Sequence, residues 1–172
     1  MAWIAPAVAL VDEPLVGDER VMLEGFLDWQ RASFLQRCTG LTAGQLTERA
    51  VPPSSLSLLG LVRHLTDVER TWFRRRFGGE DLEPAYTAAG GFDPHFDLVD
   101  AGSAERDHHA LVAEWDLCRK AVAGVPLDPP YPHPRFGEMS LRWMYLHMLR
   151  EYSGHCGHAD LLRERIDGVT FG

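Results

Sequence analysis

The chain has 172 residues, 45% hydrophobic and 24% charged, enough for one substantial core and unlike a disordered segment. A formal charge of -8 and a pI near 5.4 argue against nucleic acid or an anionic membrane surface as partner, because both call for a basic footprint. Cys38, Cys118 and Cys156 are odd in number and form no CxxC pair, so reduced thiols and a cytoplasmic location are expected rather than a disulfide framework or a thiolate zinc site.

Residues 1–17 hold Pro6, Pro14 and Gly17 and keep no period, so they read as an extended arm whose apolar side chains lie on the rest of the protein. The apolar stretch Trp3 to Val11 is short, contains Pro6 and lacks a basic leader, so it is not expected to be a signal peptide. No run reaches the roughly 18 to 20 apolar residues that span a bilayer. Acids at the start and Leu23, Phe26, Leu27 and Phe34 at helical spacing give a first helix from Asp18 to about Cys38. Pro52-Pro53-Ser54-Ser55 then stops the chain and caps a second helix to Phe77, with Leu58, Leu61, Leu65, Val68 and Trp72 inward and His64 beside them. Its flank Arg74-Arg75-Arg76 reads as solvated charge at a helix C-terminus.

Glu80 to Gly102 reads as a long loop, with His95 as one conceivable lid residue. Ser103 caps a third helix to Val122 with Leu111, Val112, Trp115, Cys118 and Val122 on its core face, and His108-His109 read as surface histidines. Five prolines between Gly124 and Met139 exclude a helix there and leave an extended crossing or hairpin-like turn. Four long amphipathic segments with two longer connections predict an all-α fold, a four-helix bundle with long crossover connections, forming a single domain over 1–172.

The last helix, from Ser140 to an Asp167-Gly168 stop, concentrates His147, Glu151, His155 and His158 within roughly 80° of arc. His147 and His155 are about 12 Å apart along the axis, too far for one ion, whereas Glu151 and His155 are about 6 Å apart. Leu141, Met144, Tyr145, Met148, Tyr152, Ala159, Leu162 and Ile166 mark the apolar face, and Glu151 and His155 point most directly inward beside it. A buried carboxylate needs a partner, either a cation or an Arg or Lys. With His64 as a third donor, the set would match an open, catalytic divalent-metal site. On spacing alone, core or surface roles fit equally well.

The segments LSLLGLVRHLTDVERTWF (56–73) and LRWMYLHMLREYSGHCGHADLLRERIDG (141–168), with Asp18 to Arg31 and Val51 to Ser54, resemble the actinobacterial-type branch of the DinB-like four-helix-bundle superfamily. The resemblance implies a metal held by His64, Glu151 and His155, a His, Glu, His set similar to that of mycothiol-dependent maleylpyruvate isomerase. His155-Cys156-Gly157-His158 resembles the common ending His-Arg-Gly-Gln, with His158 just beyond the ligand. It also implies thiol-dependent transferase or isomerase chemistry using mycothiol, bacillithiol or glutathione.

The resulting expectation is an enzyme with a divalent metal, zinc or nickel, that lowers the pKa of a mycothiol-type thiol for attack on a small-molecule electrophile. His158 and Tyr152 are candidate proton-transfer or supporting groups, against plainer roles in surface hydrogen bonding and core packing. His147 is expected at an exposed or interface position, and Cys156 as a packed thiol. Rival readings are metal-assisted hydrolysis, a non-catalytic metal-binding stress-response bundle and a metal-free carrier. Trp29 and Trp143, outside the core stripes, suggest a homodimer.

Overall fold

A computed structural model describes residues 3–86, 93–133 and 135–171. The middle of the expected 80–102 loop, at 87–92, and the first two residues of the expected arm lie outside the described residues. The main helices are α1 (Glu19–Gln36), α3 (Leu58–Glu69), α5 (Ala104–Val122) and α6 (Leu141–Asp167). Two short helices, α2 (Ala43–Thr47) and α4 (Pro94–Asp97), lie in the connections, and β1 (Tyr131–His133) pairs antiparallel with β2 (Gly137–Met139). The protein is thus an all-α bundle with one small hairpin. α1 packs along α6 and α3 along α5, while α3 also meets α6.

Local sequence accounts for most helix ends. The Ser140 hydroxyl accepts the Trp143 N–H to start α6, and Gly168 ends it in the left-handed conformation at φ 79°. The α3 cap is Ser57, not Ser55: its hydroxyl accepts the Gly60 N–H. The expected Ser103 cap is absent: its hydroxyl lies 2.8 Å from both Asp107 Oδ2 and the Asp100 carbonyl oxygen, which share its one proton. The α2 helix, within what reads as a plain connector, is held by a reciprocal capping box between Thr42 and Gln45.

Beyond Glu69 the helix continues to Phe77 as a π-helix, Arg70–Phe77, closed by Gly78 N–H donating to the Phe73 carbonyl. This wider turn shifts the register, so Phe73 and Phe77 are buried while Trp72 sits only partly buried at the bundle's flank. Arg74 is not solvated, since it pairs with Glu80 and with the buried Glu114 of α5. Three other expectations also give way. Phe26 and Val112 are exposed, and among its described residues the arm places Trp3, Ala5 and Val8 on the core, leaving Leu15 and Val16 in solvent.

One buried polar network ties the four main helices together. Arg31 of α1 gives two hydrogen bonds of 2.7 Å to Glu69 of α3. Tyr152 of α6 donates to the same carboxylate at 2.9 Å and accepts from Trp115 Nε1 of α5 at 2.9 Å. Glu69 and Tyr152 are fully buried, so every member of the network needs its partners. It lies between the helices that carry His64 and Glu151.

Candidate metal centre

His64 projects from the middle of α3, and Glu151 and His155 from successive turns of α6. The fold brings one donor atom of each to within 4.8 Å of the others, at a partly buried point between the two helices. The His64 and His155 rings meet edge to face at 4.8 Å. Glu151 spreads its oxygens between two imidazoles: Oε2 lies 3.6 Å from His155 Nε2 and Oε1 lies 3.8 Å from His147 Nε2. These separations exceed hydrogen-bond length, so the three donors converge without being committed to one another.

Burial, reinforced by the neighbouring His155 and His95 rings, pushes the His64 pKa down to about 4. It is therefore a neutral imidazole with a free lone pair at pH 7. Burial lowers His155 too, with Glu151 opposing and His158 assisting. The exposed His158 sets its Nδ1 3.3 Å from His155 Nδ1, leaving His155 Nε2 to face Glu151.

The other expected residues fall elsewhere. Tyr152 lies in the interior, where its contacts are Glu69, Trp115 and Phe34. Burial and the Glu69 charge raise its phenol pKa well above the ordinary value. His147 is not exposed: it is stacked on Trp143 with centroids 5.1 Å apart and edge-on to Trp72 at 4.7 Å. Cys156 is a packed thiol beside Gln30, with burial raising its pKa to about 11. His108 is the clearest correction to the sequence reading. It is 3% exposed against Trp3, and neither ring nitrogen has a described partner.

His95 stands beside the site in a way its sequence context does not signal. Its ring meets His64 edge to face at 5.3 Å, and its Nε2 lies 3.0 Å from Asp67 Oδ2. Gly60 permits this approach, because a Cβ there would fall 2.3 Å from Phe96 of α4. Asp67 also accepts the Ala85 and Tyr86 N–H groups, so one carboxylate anchors both ends of the connection onto α3. Asp67 itself, one turn past His64, was the available clue, since an acid on an apolar helix face needs partners.

A helical bundle that joins two imidazoles and a carboxylate from adjacent helices belongs to the class of folds able to hold a divalent cation between their helices. The sequence model of the family described as mycothiol-S-transferase matches residues 22–168. The chain belongs to this mycothiol S-transferase family, within the DinB-like superfamily. No curated protein matches it. Among the described residues, no helix is long and apolar enough to cross a membrane.

Proposed function

We propose that the protein is a divalent-metal-dependent mycothiol S-transferase in which His64, Glu151 and His155 hold zinc or nickel and leave a position open for the thiol. The observation that supports this most is the convergence of three uncommitted donors from two helices. Two imidazole nitrogens and a carboxylate oxygen form a donor set suited to borderline divalent ions in open sites. Such an ion, when bound, favours thiolate over thiol and so supplies the nucleophile.

The protein's own side chains prepare that chemistry. Burial keeps His64 in the neutral form that ligation requires. His158, with its Nδ1 3.3 Å from His155 Nδ1, orients the His155 ring so that Nε2 faces Glu151. His147, wedged between Trp72 and Trp143, stands 3.8 Å from the outer oxygen of Glu151. With such an ion bound, the thiol sulfur would be available to form a C–S bond with an electrophilic carbon of a small molecule, the leaving group departing with the electron pair of the bond that breaks.

The test pairs elemental analysis of protein purified without a chelating column with a transfer assay using mycothiol, glutathione or no thiol. Wild type should carry one metal per chain and turn over with mycothiol. Glu151→Gln should lose both, by more than the roughly 10- to 100-fold that outer-shell changes cost. Equal rates in the two proteins would remove the site from the reaction, and turnover without thiol would favour metal-assisted hydrolysis.

A further inference from the structure

The two imidazoles of the donor set are held in different ways. His155 has a polar support, since the Nδ1 atoms of His155 and His158 lie 3.3 Å apart. A ligating histidine is ordinarily aimed in this manner, through the ring nitrogen that does not face the metal. His64 has no such partner among the described residues, and what packs on its ring is three other rings. His155 meets it edge to face at 4.8 Å, His95 edge to face at 5.3 Å and 88°, and Phe96 is stacked at 6.3 Å and 30°. His155 is a fellow donor, so the remaining support comes from α4, which carries both His95 and Phe96.

Contacts on both sides seat α4 firmly enough to give that support. Phe96 fills the space that a Cβ at Gly60 would occupy, its carbonyl accepts from Arg49 at 2.9 Å, and the Leu98 carbonyl accepts from the buried Arg63 at 2.6 Å. His95 is fixed independently, with its Nε2 3.0 Å from Asp67 Oδ2. Asp67 stands one turn past His64 on α3 and also accepts the Ala85 and Tyr86 N–H groups, so it cannot turn to follow a moving ring. The His95 and Asp67 side chains are only 12% and 6% exposed. The other His95 nitrogen, Nδ1, lies 3.6 Å from Asp93 Oδ1, beyond hydrogen-bond length, so Asp67 is the partner that sets the ring's orientation.

We propose that His95 is a positioning residue for the metal centre: locked by Asp67 and backed by Phe96, its ring clamps the His64 imidazole so that the donor nitrogen stays within reach of Glu151 and His155 before an ion arrives. The proposal rests on the reading of those three residues as a metal site. A donor free to turn gives up that freedom when it binds, whereas one already held gives up little, so the clamp strengthens binding without touching the ion. Its working part is the aromatic ring. The hydrogen bond to Asp67 fixes where that ring stands, and a phenyl group of similar size, packed in the same slot against His64 and Phe96, can take its place.

The experiment titrates metal-free wild type and variants with zinc in competition with a chromophoric chelator. Wild type should bind one zinc ion, and His64→Ala should lose it. His95→Ala and His95→Gln, which remove the ring, should weaken binding by about 10-fold or more, the scale of an outer-shell change, while His95→Phe should stay within about three-fold of wild type. A residue that merely tied the chain to Asp67 would give the reverse order, because glutamine can still donate there and phenylalanine cannot. A second readout needs no metal. Acylation of His64 by diethyl pyrocarbonate, located by peptide mass, should run several-fold faster in the two ringless variants than in wild type or His95→Phe. Zinc affinity unchanged in His95→Ala, or restored by glutamine and not by phenylalanine, overturns the clamp and leaves the metal centre standing. Absence of zinc binding in wild type, with His64 still acylated faster in the ringless variants, would sink the metal reading and sustain the clamp. Equal acylation in all these proteins overturns it whatever the zinc data.

Discussion

Tyr152→Phe separates a structural tyrosine from a catalytic one. The substitution removes one oxygen and hardly any volume, so no cavity opens, but two buried groups lose a partner. Trp115 Nε1 is left without its acceptor, and Glu69 loses the Tyr152 donor while keeping the two Arg31 hydrogen bonds. A buried group left unpaired costs about 1 to 3 kcal/mol. For a chain of this size each kcal/mol moves Tm by about 2 to 4 °C, so calorimetry should show a drop of about 2 to 12 °C. At 20 °C the folded variant should retain kcat/KM within about three-fold, since a phenol with its pKa raised far above neutrality and no described opening to the donor triad has no proton to exchange there. Loss of a general acid or base would instead cost about 10²- to 10⁴-fold. An unchanged Tm with a hundred-fold fall in kcat/KM would refute the reasoning.

The same network gives a second test. Glu69→Gln leaves the buried Arg31 charge with Asp28, at 2.8 Å, as its remaining carboxylate among the described residues and should cost up to about 3 kcal/mol in urea unfolding, whereas the double variant Arg31→Met/Glu69→Leu should cost clearly less than Arg31→Met and Glu69→Leu summed. Strict additivity would show that the pair is not coupled. His108 provides a pH signature. Burial, with His109 adding to it, lowers its folded pKa below 6.5, so above that pH neither state takes up the proton. As pH falls below about 6.5 the unfolded chain is protonated first, and stability declines by at most about 1.4 kcal/mol per pH unit from this residue. In chelator, His108→Leu should therefore flatten the fall in stability between about pH 6.5 and 5.5. Parallel curves for variant and wild type would discount that account.

Much of the site is legible in the chain itself because helix geometry is local. A spacing of four residues places Glu151 and His155 on adjoining turns wherever the helix packs, and Ser140 and Gly168 mark its ends through contacts within a few residues. The apolar stripe likewise identifies which side of α6 is buried, and Tyr152, which belongs to that stripe, packs inside. His64 is harder to assign by such rules, since its pairing with α6 spans most of the chain.

Tertiary packing decided the rest. The π-helical turn after Glu69 exchanges Trp72 for Phe73 in the core and so creates the aromatic wall beside His147. His95 reaches His64 only because Gly60 lets Phe96 approach α3 and Asp67 anchors the returning segment. His108 is buried by Trp3, more than a hundred positions away, which no helical period in its own segment could reveal. Sequence alone set the donors' types and their spacing on each helix, because those depend on neighbours one turn away. Which helices face each other, and what stands around the meeting point, depends on contacts between residues far apart in the chain.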